Sequence, residues 1–172
     1  PKIPRIIAGD FPKVFSCNCL LIESSKKLVL VDTGIGKKDY KNPKRLGPLR
    51  HLLGYKMNND LAARSQIKTL GFSANDVTDI ILTHMDVDHA GGIEDFPQAQ
   101  VHVSKEEFDF ATRRIFGVDR LRYPANLASR SDKLNIIEKC ENEKWGPFDL
   151  FNIDKSLMEI VKVIDVSGHT PG

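Results

Sequence analysis

Thr83-His84-Met85-Asp86-Val87-Asp88-His89-Ala90-Gly91-Gly92 decides how this chain reads. Two histidines and two aspartates fall within six residues, directly after the apolar run Asp79-Ile80-Ile81-Leu82-Thr83 and directly before a glycine pair. The run is bounded by polar residues and rich in β-branched side chains, which predicts a buried strand. The glycines let the backbone turn sharply and approach whatever the polar side chains hold. A lone histidine is ordinarily satisfied by hydrogen bonds, and an aspartate-rich loop is ordinarily a solvated turn. Four such donors leaving the end of one strand at this spacing predict a cation site instead.

Two other turns follow strand-like runs. Asp32-Thr33-Gly34 ends the fully apolar Leu28-Val29-Leu30-Val31, and Ser167-Gly168-His169-Thr170-Pro171-Gly172 follows Glu159 to Val166. In this order the three pieces resemble the metallo-β-lactamase-fold hydrolases. That family carries a strand-terminal His-x-His-x-Asp-His loop, an Asp-Thr-Gly turn upstream and often a Gly-His-Thr-Pro-Gly turn downstream. The resemblance runs from about Asn18 to Gly172. It implies an α+β fold, the N-terminal portion of an αββα sandwich with a mixed β-sheet flanked by helices. Residues 1–172 then form one domain, incomplete at its C-terminus, because the family's bridging aspartate and final histidine would lie beyond Gly172.

Carried over residue by residue, the resemblance implies one metal on His84, Asp86 and His169. A second would sit on Asp88 and His89 with the downstream histidine that this sequence does not contain. Asp88 and Asp32 are the implied catalytic carboxylates, Asp32 orienting the ligands from outside the metal's own shell. One or two divalent ions would lower the pKa of a bound water from about 15.7 to near 7, giving a metal-bound hydroxide. The reaction implied is hydrolysis of a small-molecule ester or lactone, with a thioester or phosphodiester as the near alternative.

One position departs from the family pattern, since Asp86 stands where the second histidine belongs. A carboxylate adds a negative charge and a harder oxygen ligand, which predicts a weaker Lewis acid and makes iron or manganese credible beside zinc. Zinc remains the first expectation; if Asp86 ligates, Asp86→His is expected to restore a nitrogen-rich site, and the alternative is that Asp86 does not ligate and the site holds one metal. The same departure motivates the alternative of a non-catalytic metal-binding scaffold or partner-binding domain. A diiron, flavodoxin-linked branch of the fold also places a carboxylate in this loop, usually glutamate, but no flavin domain follows here.

Composition sets the remaining bounds. With 172 residues, 41% apolar and 28% charged, the chain suits one soluble globular domain. A net charge of +2 gives no ground for nucleic-acid or membrane-surface binding, and no apolar run is long enough to span a bilayer. No basic-then-apolar leader opens the sequence. Cys17, Cys19 and Cys140 cannot build a disulfide framework and read as thiols in a reducing cytoplasm, the first two as small buried residues.

Local signals predict the other elements. Ile3–Ala8 reads as an edge strand, and Asn18–Glu23 and Lys27–Asp32 as a hairpin joined by Ser24-Ser25-Lys26. The basic stretch Lys37–Tyr55 reads as a solvated loop. Asn59 or Asp60 caps a helix ending at Gly71, and Ser73 and Asp76 introduce a further short helical turn. A short helix spans Gly92–Phe96, a strand spans Gln100–Ser104 with a structural His102, and a helix runs from Lys105 to about Phe116. His51 also reads as structural. Leu121–Pro147 reads as a pocket wall or connector, and Glu159–Val166 as a strand delivering His169.

Overall fold

A computed structural model describes residues 16–47, 55–113, 122–123 and 132–172. Its centre is a five-stranded sheet in the order β1-β2-β3-β4-β5, formed by Leu20–Glu23, Leu28–Val31, Val77–Ile81, Gln100–Ser104 and Leu134–Ile137. β1 runs antiparallel to β2 across the Ser24–Lys27 turn, and every later pairing is parallel. Parallel strands need their faces covered, which explains why β2 is apolar on both sides. Leu28 and Leu30 face a cluster with Ile80, Val101 and Val103, covered by Ile67 and Phe96. Val29 faces the other way, with Ile81 and Ile137 against Phe151, Ile153 and Leu157.

Helices α1 (Lys37–Lys41), α2 (Ala63–Thr69), α3 (Val87–Ala90) and α4 (Lys105–Thr112) connect these strands. The opposite side carries the antiparallel pair β6 (Lys139–Trp145) and β7 (Phe148–Phe151), followed by α5 (Lys155–Met158). This is the predicted mixed sheet with flanking helices. No helix among the described residues is long and apolar enough to cross a membrane.

Several local expectations are corrected. Asn58, not Asn59 or Asp60, supplies the cap: its side chain accepts from Asp60 N at 2.9 Å and opens a 3₁₀ turn over Asn59–Leu61. Extended Ala62 separates that turn from α2. Ser73–Asp76 is a turn rather than a helix, closed by Ser73 N donating to Asp76 Oδ2 at 2.6 Å, so β3 begins at Val77, before Asp79. The Gly92–Phe96 helix is one 3₁₀ turn, Ile93–Asp95. Lys37–Leu46 is no solvated loop, since α1 and a 3₁₀ turn clasp that segment, with Lys38 and Arg45 both paired to Glu94. The stretch 132–147 holds β5 and β6 instead of a connector, and 159–166 contributes a single bridge, Ile164 to Leu150, instead of a strand. The expectations for Ile3–Ala8, for His51 and for the end of α4 beyond Arg113 lie outside the described residues.

His102 is structural as expected. Asn135 Nδ2 donates to its Nδ1 at 3.0 Å, so Nε2–H donates to Asp79 Oδ1 at 2.9 Å, while Lys27 Nζ holds Asp79 Oδ2 at 2.9 Å. Burial pushes the Asp79 carboxyl up, but the bonds from His102, Lys27 and Thr78 outweigh it and hold it well below the usual carboxylate range. A depressed folded pKa stabilises above the unfolded value of about 3.9, and that stability is lost as pH falls through the folded value. Asp79→Asn is therefore expected to cost about 2 kcal/mol at pH 7, with the gap from wild type closing under acid. Urea unfolding at pH 7 and pH 3 checks this; an equal gap at both would count against it.

Candidate metal centre

β2 and β3 are parallel, with Val31 opposite Ile81, so their C-terminal ends open at the same sheet edge. Asp32 leaves β2 there with φ 57°, a left-handed conformation no other described non-glycine residue adopts. That turn aims its carboxylate along the sheet edge at the next loop. Oδ1 accepts from Thr83 N at 2.9 Å, and Oδ2 accepts from Thr83 Oγ1 at 2.8 Å and contacts His89 Nδ1 at 2.8 Å.

These bonds set both histidines. Thr83 Oγ1 gives its proton to Asp32 and stands 3.0 Å from His84 Nδ1, so it accepts from that ring nitrogen and leaves His84 Nε2 with a lone pair. His89 donates from Nδ1 to Asp32, turning Nε2 toward Asp88 Oδ2 at 3.9 Å. Burial pulls the His89 pKa down, but Asp32, Asp88 and Asp86 outweigh it and raise it. The negative field responsible also favours a bound cation.

The glycine pair serves the backbone. A Cβ at Gly92 would stand 2.7 Å from Thr33 O, and one at Gly91 3.0 Å from Gly34 O, so the loop lies tightly against the Asp-Thr-Gly turn. Thr33 completes that seam, donating N and Oγ1 to His89 O at 2.7 and 2.8 Å.

Three predicted ligands converge. Donor atoms of His84, Asp86 and His169 lie within 4.8 Å of one another, the sole such set of three among the described residues. Asp86 Oδ2 stands 3.3 Å from His84 Nε2 and 3.5 Å from His169 Nε2. Two bonds of about 2.1 Å at a tetrahedral angle place donor atoms about 3.4 Å apart, so the set fits one divalent cation. His84 Nε2 is buried and makes no hydrogen bond, a polar atom waiting for a partner. His169 lies at the exposed rim, its ring 5.0 Å from that of His84. Asp88 and His89 sit beside this set, the His84 and His89 rings 3.9 Å apart, and form a pair of their own outside the three.

Sequence reasoning missed two residues. Arg122 grips Asp86 bidentately, Nε to Oδ1 at 2.9 Å and NH2 to Oδ2 at 2.6 Å, and NH2 also stands 3.1 Å from His169 Nε2. Burial pushes the Asp86 carboxyl up, but its charged and hydrogen-bonding neighbours, the Arg122 guanidinium among them, outweigh it and lower it. Glu107, buried on α4, accepts from Met85 N at 2.7 Å, in the middle of the metal loop. Arg122 is one arginine in a polar stretch, and Glu107 carries only the capping-box spacing Ser104-x-x-Glu107, which points to a helix end and not to the metal loop. Cys17 and Cys19 lie close by but are poor ligand candidates. Burial, aided by Asp88 and Asp32, pushes their thiols up to about 11 and about 12, so both stay protonated near neutral pH.

Residues 12–109 match the family pattern of the metallo-beta-lactamase superfamily, a span that holds Asp32 and the loop from His84 to His89 and ends before His169. The chain belongs to that superfamily. Probable metallo-hydrolases of Mycobacterium bovis and Mycobacterium tuberculosis are each 38% identical over 156 residues, which is 91% of this chain and 50% of theirs. The chain thus spans about half the length of the curated relatives it matches. A solved N-acyl homoserine lactone hydrolase, with N-hexanoyl-L-homoserine at its catalytic metal centre, shares 25% identity at a TM-score of 0.57. That superposition covers 90% of this chain and 54% of the solved one.

Proposed function

We propose that the protein is a metal-dependent hydrolase acting on a small-molecule ester or lactone. The observation carrying this reading is the convergence of His84, Asp86 and His169, with Asp86 Oδ2 near tetrahedral donor spacing from both rings and a buried His84 Nε2 that makes no hydrogen bond. His84, Asp86 and His169 would hold one ion, and Asp88 and His89 would contribute to a second, with zinc the favoured metal. A bound divalent ion supplies the Lewis acidity that acidifies water and polarises a scissile carbonyl. Asp32, reaching Thr83 and His89 together, fixes the tautomer and tilt of both histidines from outside the ligand set. The ester or lactone class draws support from the lactone hydrolase among its structural relatives. Three free thiols suit a cytoplasmic setting.

The non-catalytic scaffold remains the competing reading, motivated by Asp86 standing bound to Arg122 where the family has histidine. One experiment separates the two. The whole protein, metal-loaded, is assayed on a panel of small esters and lactones, then chelated, then reloaded with zinc. Turnover that disappears on chelation and returns on reloading is expected. Metal binding without turnover on any member would leave the scaffold, and turnover indifferent to chelation would overturn the metal reading.

A further inference from the structure

The first turn of α4 touches both loops that carry the clustered ligands. Glu107 is 1% exposed, and its Oε1 accepts from Met85 N at 2.7 Å, the peptide between His84 and Asp86. The same oxygen accepts from Tyr123 Oη at 3.2 Å, next to the Arg122 that grips Asp86. Glu107 N donates to Ser104 Oγ at 3.1 Å, capping the helix. Onto that cap comes the other loop. A Cβ at Gly172 would collide with Glu107 N and stand 2.5 Å from Ser104 Oγ and 2.9 Å from Glu106 Cβ. So the turn carrying His169 is seated on the helix end whose side chain holds the turn carrying His84 and Asp86.

We propose that Glu107 is a positioning residue for the metal centre, registering the His84–Asp86 loop against the His169 turn through one buried carboxylate. The proposal rests on the metal-centre reading above. Glu107 does not turn its carboxylate back to the helix end, since Oε1 goes to Met85 N and Tyr123 Oη. Ser104 already caps α4, and placing a carboxylate where Oε2 has no hydrogen-bond partner costs free energy that a buried leucine would not. What a leucine lacks is an acceptor for Met85 N–H. Without it the peptide between two ligands is left unpaired and free to rotate, which spreads the His84 and Asp86 donors away from tetrahedral spacing. Ligand-supporting groups of this kind change metal affinity by roughly 10–100-fold when removed.

The test is zinc affinity by chelator competition in the whole protein, with unfolding of the chelated protein measured alongside. Glu107→Leu is expected to weaken zinc binding roughly 10–100-fold, while Glu107→Gln, which keeps an oxygen facing Met85 N–H, stays within about threefold of wild type. Gly172→Ala, which pushes the His169 turn off the α4 end while keeping the Glu107 carboxylate, is expected to weaken zinc binding as well. It carries the test if Glu107→Leu does not fold. Equal zinc affinity in wild type, Glu107→Leu and Gly172→Ala would overturn the proposal while leaving the metal centre intact, as would Gln falling as far as Leu. A wild-type protein with no zinc affinity would overturn both.

Discussion

His84→Ala is expected to abolish retention of the ion shared with Asp86 and His169 while leaving the metal-free fold close to wild-type stability. The two halves of that result have separate causes. His84 Nε2 is buried and makes no hydrogen bond, so removing the ring gives up the one from Nδ1 to Thr83 Oγ1, and Thr83 keeps its own bond to Asp32. Leaving such an atom unpaired already costs about 1–3 kcal/mol, which offsets much of the packing lost with the ring. The ligand set, by contrast, falls from three donors to Asp86 and His169, the latter on an exposed turn. Outer supporting groups are worth roughly 10–100-fold in metal affinity, so loss of an inner donor should exceed about 100-fold. Thermal unfolding with and without zinc reads both halves at once. At a zinc concentration about 100 times the wild-type dissociation constant, the ion adds about 2.7 kcal/mol to wild type and nearly nothing to the variant. Zinc stabilisation of the same size in both proteins would remove His84 from the site.

The parts of this molecule legible in the sequence are those where chemistry and periodicity agree. β2 is an unbroken aliphatic run, and Gln100–Ser104 alternates around a buried core, so both strands were readable within a residue. The candidate ligand residues were legible because imidazoles and carboxylates at short spacing after a strand have few other uses. β6 was not legible: Lys139-Cys140-Glu141-Asn142-Glu143-Lys144-Trp145 is mostly polar and mostly exposed, and its extended form comes from pairing with β7. The β-branched stretch Glu159–Val166 misled in the opposite sense, because Ile164 alone finds a bridge partner. A strand needs neighbours as well as a pattern.

Arg122 is the residue whose absence from the sequence reading changes the chemistry. Taken alone, Asp86 in place of histidine adds a negative charge to the ligand set and predicts that Asp86→His would restore a nitrogen-rich site. The structure pairs that carboxylate with a guanidinium at 2.6–3.1 Å through two nitrogens. A carboxylate and a guanidinium together carry no net charge, as a neutral imidazole carries none. The pair therefore answers electrostatically to the family's histidine, while the carboxylate still presents Oδ2 to His84 and His169. Asp86→His on its own would leave the guanidinium beside the bound cation with its counter-charge gone. Weaker zinc binding than wild type is expected from it, as it is from Asp86→Ala. Asp86→His with Arg122→Gln removes both charges and is expected to recover much of the affinity. Partners in one ion pair typically couple by about 0.5–3 kcal/mol, which is roughly 2–150-fold in zinc affinity between the double variant and the sum of the singles. Chelator competition on wild type, both single variants and the double variant gives that coupling directly. Additivity within about 0.5 kcal/mol would mean that Arg122 does not compensate Asp86, and that the carboxylate acts on the metal with its charge unopposed.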